Sequence, residues 1–270
     1  MKIINMINNF YRNILLIKYR VFISSFMMYI GSIYLAKVNA NSFTTKTNIS
    51  IFDIVCDVYK KGGIVGQFRY VFPIIPLFAF ILISILDLDN KTMWLVRYNS
   101  RKNIWNRQVV YTIYLAFIFS ILIIFGGYLV SGILIGSFNN KWISSDGFIY
   151  ILMGKPNNWS EIANSFATYK ILFFTFTSNF LGLCAIGLSV CTFKTFLKNQ
   201  YVVIMLTISL FASVLFDNLS IELKQMTISL ENWINPKTIV INDVYLILLI
   251  IMFYMLGSWI TNKKDIVVKI

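Results

Sequence analysis

Between Val109 and Ile135 the chain carries no Asp, Glu, Lys or Arg. About 20 apolar residues wound as a helix cross the hydrocarbon core of a bilayer. In that medium a backbone must satisfy its own polar groups, so only helices and closed barrels span it. A charge-free run of this length therefore predicts a transmembrane helix. Similar apolar runs cover residues 19–36, 70–86, 171–193, 201–216 and 241–260. Composition agrees: 58% of residues are hydrophobic and 13% charged, against roughly 45–50% and about 25% in soluble domains. The expectation is an all-α, polytopic membrane helix bundle with six transmembrane helices, forming one domain over residues 1–270. No small-residue cleavage site follows the first apolar run, so that span is expected to remain in the mature protein.

The charges orient the bundle. The net charge is +13 without any histidine. Placing both termini inside collects most of the Lys and Arg on that side and leaves most of the Asp and Glu on the other. Cytoplasmic loops gather basic residues in this way, so the reading is N-in and C-in in a bacterial plasma membrane. The same rule accounts for the basic balance without nucleic acid as a partner. Residues 1–18 place Ile3, Ile7, Phe10, Ile14 and Ile17 on one helical face, which predicts an interfacial helix on the inner leaflet.

On the expected cytoplasmic side, the long polar interruption runs from Asp87 to Val109. It mixes Lys91, Arg97, Arg101, Lys102 and Arg107 with Trp94, Tyr98 and Trp105. Trp94, Tyr98, Arg101 and Trp105 share one helical stripe. A cytoplasmic helix over about 91–107 is predicted, lying on anionic lipid or docking into another protein.

On the outer side, Ser50 and Asp53 form a capping-box variant. Ile51, Ile54, Val55 and Val58 follow as an apolar stripe, and Gly62-Gly63 ends it. A short amphipathic helix is expected, acting as a lid over the outer end of the bundle or as an anchor on the membrane. Pro73 and Pro76 should kink the second span or delay its start. Gly132 and Gly136, four apart, permit close helix packing. Trp142, Tyr150 and Trp159 are candidate interface anchors. Thr175, Ser178 and Asn179 form a polar cluster within the fourth span, expected to face other helices or to line a pathway.

Several chemistries are excluded. Gly154-Lys155-Pro156 has neither the upstream glycine nor the Ser/Thr of a phosphate loop. With no histidine, His-based acid–base and metal chemistry is absent. Cys56, Cys184 and Cys191 match neither a disulfide framework nor a zinc site. Arg20, Asp87 and Asp243 sit at span ends, whereas ion-coupled transporters carry ionisable groups within the membrane. No catalytic, metal or cofactor-binding residue is expected on this chain, and no enzymatic activity. If it moves a substrate, the energy comes from a partner.

Six spans, an interfacial opening helix, inward termini and a cytoplasmic helix between the second and third spans resemble the permease subunit of ABC-2 type exporters. The segment from Ser50 to Trp105 is the most similar part. An outer amphipathic helix leads there to a Pro-containing span, then Asp87 and Asp89, then Leu95-Val-Arg97-Tyr-Asn-Ser100-Arg101-Lys102 and Trp105. It is similar to small permeases of low-GC Gram-positive bacteria associated with bacteriocin and lantibiotic systems. The resemblance implies that Trp94, Arg97, Tyr98, Arg101, Lys102 and Trp105 contact a separate ATPase subunit, which holds the ATP and Mg. It also implies a second permease copy or paralogue, and export of a peptide, antibiotic or lipid-like substrate. The alternative class is an integral membrane immunity or assembly protein that transports nothing. A neighbouring gene for an ATPase would discriminate between the two.

Overall fold

The computed structural model of the chain describes residues 19–43, 49–56, 69–89, 101–197, 202, 206, 223–228, 232–233 and 235–263. In chain order the helices are α1 (Tyr19–Phe43), α2 (Ile51–Val55), a π turn (Tyr70–Ile74) running into α3 (Ile75–Asp89), α4 (Arg101–Ile135), α5 (Phe148–Leu152), α6 (Trp159–Ala163), a 3₁₀ turn (Asn164–Phe166), α7 (Thr168–Lys194), α8 (Leu223–Met226) and α9 (Pro236–Lys263). The architecture is all-α, as the sequence predicts. Among the described residues four stretches are long and apolar enough to cross a membrane: Tyr70–Leu88, Lys102–Ile135, Thr168–Lys194 and Pro236–Lys263. The apolar part of α1, Ile23–Val38, is shorter. The fifth expected span, 201–216, lies outside the described residues except for Val202 and Leu206, both helical and buried. The expected interfacial helix over residues 1–18 also lies outside them.

Local chemistry sets the ends of these helices. Pro73 has no N–H to offer a helical ladder, and the chain absorbs the mismatch as a π turn at Tyr70–Ile74. The late start expected from the two prolines is thus a local change of register. α9 begins at Pro236, earlier than the expected residue 241, because a first-turn proline loses no hydrogen bond. At the far end of α4, Gly136 takes φ +79° and donates its N–H to the Gly132 carbonyl at 2.9 Å. This is the left-handed helix stop for which glycine is suited.

Side-chain pairings fix the direction of each helix. Tyr29 Oη donates to the Ile123 carbonyl at 2.6 Å, and Lys37 Nζ donates to that of Leu134. α1 and α4 therefore run side by side in one direction. Lys194 Nζ meets the Ile83 carbonyl and the Asp87 carboxylate, so α3 and α7 run together. Gly187 packs on Thr112, and Gly257 on Trp105, which sets α7 and α9 antiparallel to α4. One end of the bundle thus gathers Lys102, Arg107, Lys194 and Lys263 and is called the basic end. α7 finishes there, whereas α9 starts at the opposite end.

Among the described residues two apolar cores result. The larger lies among α1, α3, α4, α7 and α9, around Ile33, Phe78, Leu82, Ala116 and Leu188. The smaller caps the end opposite the basic end and is built from Phe52, Trp142, Trp159, Phe166 and Trp233. Outward faces stay apolar: Ile133 is 73% exposed, Met255 65% and Ile241 65%. Hydrocarbon is the medium in which such faces are unpenalised.

Candidate functional site

The cap forms around α2. Asp53 has no exposed surface, yet its carboxylate is fully engaged. One oxygen accepts the Ser50 N–H at 2.7 Å and the other accepts Trp142 Nε1–H. Ser50 Oγ accepts the Lys141 N–H at 3.1 Å, which ties α2 to the loop after α4. At the other end of the helix, Arg69 donates from its two Nη atoms to the carbonyls of Val55 (2.8 Å) and Ile54 (3.0 Å). A buried anion at the N-terminus and a buried cation at the C-terminus complement the helix dipole. Aromatic rings close around this unit. Trp142 meets Phe52, Phe166 and Trp233 at centroid distances of 5.8, 5.9 and 5.7 Å.

Where the cap meets the bundle there is a partly open cavity. Arg69, Tyr70, Thr175 and Asn179 give it polar walls, and Val55, Met226 and Ile228 give it apolar ones. Asn179 Nδ2 donates to the Thr175 carbonyl at 2.8 Å, which fixes the amide with Oδ1 as an acceptor. That Oδ1 is buried without a partner, as is Arg69 Nε. Ser178, on the adjoining face of α7, donates to Asp243 Oδ1 of α9 at 2.7 Å. The polar cluster therefore splits. Ser178 joins two helices, while Thr175 and Asn179 border the cavity.

The basic end is organised by α4, which runs unbroken from Arg101 to Ile135. Residues 101–107 were expected to close a separate cytoplasmic helix, but they form the first turns of this 35-residue rod. Lys102 and Asn103 are exposed there. Trp105 is fully buried, with its ring over Gly257 and 6.4 Å from that of Tyr254. Tyr254 Oη donates to Asn106 Oδ1 at 3.0 Å beside it. The expected contact face thus loses Trp105 to internal packing, because Gly257 opens a slot that the indole fills. Trp94, Arg97 and Tyr98 lie outside the described residues, as does the Arg101 side chain.

Other expectations are corrected at the cap. Ile51 and Ile54 were to form the one apolar stripe of an amphipathic helix, but Phe52 and Asp53 are buried as well. α2 is held between the aromatic cap, which takes Ile51 and Phe52, and the bundle core, which takes Ile54, so this helix is a core element. Of the expected lid residues, Val55 borders the cavity and Val58 lies outside the described residues. Among the described residues, no neighbouring helix packs on Gly132 or Gly136. Gly136 stops α4, and Gly132 leaves room for the Phe138 ring as the chain folds back. Trp142 and Trp159 are core residues of the cap and not interface anchors.

The sequence reading missed Arg69 and Tyr70 as site residues. Arg69 reads as the end of a loop, and nothing local shows that two carbonyls from residues 54 and 55 await it. Asn235-Pro236 was a legible signal for the start of α9 that went unused. Among the described residues no group of His, Cys, Asp and Glu could hold a metal ion. No protein-family model matches the chain, and neither curated proteins nor solved structures include one similar to it at a significant level.

Proposed function

We propose that the chain is the membrane-spanning subunit of an ABC-2-like exporter, driven by a separate ATPase that docks at the basic end. The observation that carries this reading is the continuity of α4. The basic and aromatic segment before Arg101 leads directly into one rigid helix that reaches the cap. At 1.5 Å per residue this helix is about 52 Å long, against roughly 30 Å of hydrocarbon. A displacement imposed on its first turns is delivered to the opposite end, where the cavity lies. Lys102 is exposed at its start, beside the stretch holding Trp94, Arg97 and Tyr98. The substrate class is a peptide, antibiotic or lipid-like molecule, and a second permease subunit completes the pathway.

Replacing Tyr98 and Arg101 together by Ala tests this. The variant should insert normally but lose co-purification with the ATPase, or lose transport while ATP hydrolysis continues. Normal co-purification together with normal transport would refute the docking site.

A further inference from the structure

Arg69 and Asn179 face one cavity with complementary unfilled valences. Arg69 is 4% exposed. Its two hydrogen bonds go to backbone carbonyls, and no carboxylate pairs with it among the described residues. A buried guanidinium without a counter-anion is costly unless something supplies the charge. Nε–H has no partner among the described residues, and it lies on the side-on fork through which a guanidinium receives an oxyanion. Asn179 is 1% exposed, and its Oδ1 can only accept. The cavity therefore asks for an anionic oxygen with a hydrogen-bond donor beside it.

We propose that the Arg69–Asn179 cavity binds a phosphate group carrying a neighbouring hydroxyl or ammonium, as the headgroups of phospholipids do. Depth supports this source. Arg69 immediately precedes the apolar stretch Tyr70–Leu88, so it stands where the hydrocarbon gives way to headgroups. The phosphate oxygens take the Arg69 fork, and the headgroup hydroxyl or ammonium donates to Asn179 Oδ1. The site does not depend on an ATPase partner. It also supplies the counter-charge that lets Arg69 cap α2, so lipid binding is coupled to the stability of the cap.

The test uses the full chain in a neutral detergent, with dihexanoyl phosphatidylglycerol as the probe and dihexanoylglycerol as its phosphate-free control. The phospholipid should raise the thermal unfolding midpoint saturably, and the control should not. Asn179→Leu keeps the volume and removes the acceptor. It should weaken binding about tenfold with little change in the ligand-free midpoint. Arg69→Lys, which keeps the charge and loses the fork, should weaken binding at least as much and serves if the first variant fails to fold. Equal protection by inorganic phosphate would leave the phosphate site standing with the free anion as its occupant. Protection by dihexanoylglycerol, or wild-type affinity in both variants, would overturn the proposal.

Discussion

Gly257 and Trp105 offer the sharpest test of how the basic end is packed. A Cβ on Gly257 would overlap Cζ2, Cη2 and Cζ3 of the Trp105 ring. The indole cannot retreat, since it has no exposed surface and the Tyr254 ring stands 6.4 Å away. Overpacking a filled core costs about 1–3 kcal/mol. Overlap with three atoms of a fully buried ring belongs in the upper half of that range. Against it, Ala is about 0.8–1 kcal/mol better than Gly inside a helix. Gly257→Ala should therefore destabilise the protein by about 1–2 kcal/mol net. Trp105→Phe removes the atoms that the new methyl would strike. In that background Gly257→Ala should be neutral or stabilising by up to about 1 kcal/mol. The coupling energy, about 2 kcal/mol, is read from a double-mutant cycle. Unfolding is followed by helical circular dichroism as SDS is titrated into neutral micelles. An equal effect of Gly257→Ala in both backgrounds would refute the packing of α4 on α9.

Asp53→Ala should destabilise the cap by at least about 2 kcal/mol, because two donors, Ser50 N–H and Trp142 Nε1–H, lose a charged acceptor; an unchanged midpoint would count against the buried network. Gly136→Ala should cost about 1–2 kcal/mol, the penalty of a Cβ in left-handed backbone, and Gly136→Asn distinctly less. Cys56 is half-buried while Cys184 and Cys191 are buried, so a membrane-impermeant maleimide on intact cells should label Cys56 alone. Labelling that appears only after permeabilisation would reverse the orientation read from the charges.

Much of the fold is legible in the sequence where one local signal decides. Apolar runs locate α3, α7, α9 and the far end of α4 to within about five residues, since hydrocarbon leaves the backbone no alternative, whereas α4 starts eight residues before its charge-free run. The Ser50–Asp53 pair marks the start of α2 from four residues alone. What the sequence hides depends on partners far along the chain. The burial of Asp53 needs Trp142, and the place of Trp105 needs Gly257. Arg69 reads as a loop residue because its two acceptors lie 14 and 15 positions earlier. The polar cluster on α7 was visible as such. Which member turns to the cavity and which to α9 is set by how the helices are rotated against each other, and no periodicity within a single helix records that.

The cap also dictates an order of assembly. Its core draws Phe52 from before α3, Trp142, Trp159 and Phe166 from between α4 and α7, and Trp233 from just before α9. A ribosome delivers these pieces one after another, with long helices to be inserted in between. Until Trp233 emerges, the edge of Trp142 that it covers stays bare, and the buried Asp53 network lacks part of its shelter. A chain halted before Trp233 would carry most of its long helices but no finished cap. Closure of the cap is thus a late event that waits on a residue beyond α7, a state that quality-control proteases acting on exposed aromatic surface could tell from one with the cap still open.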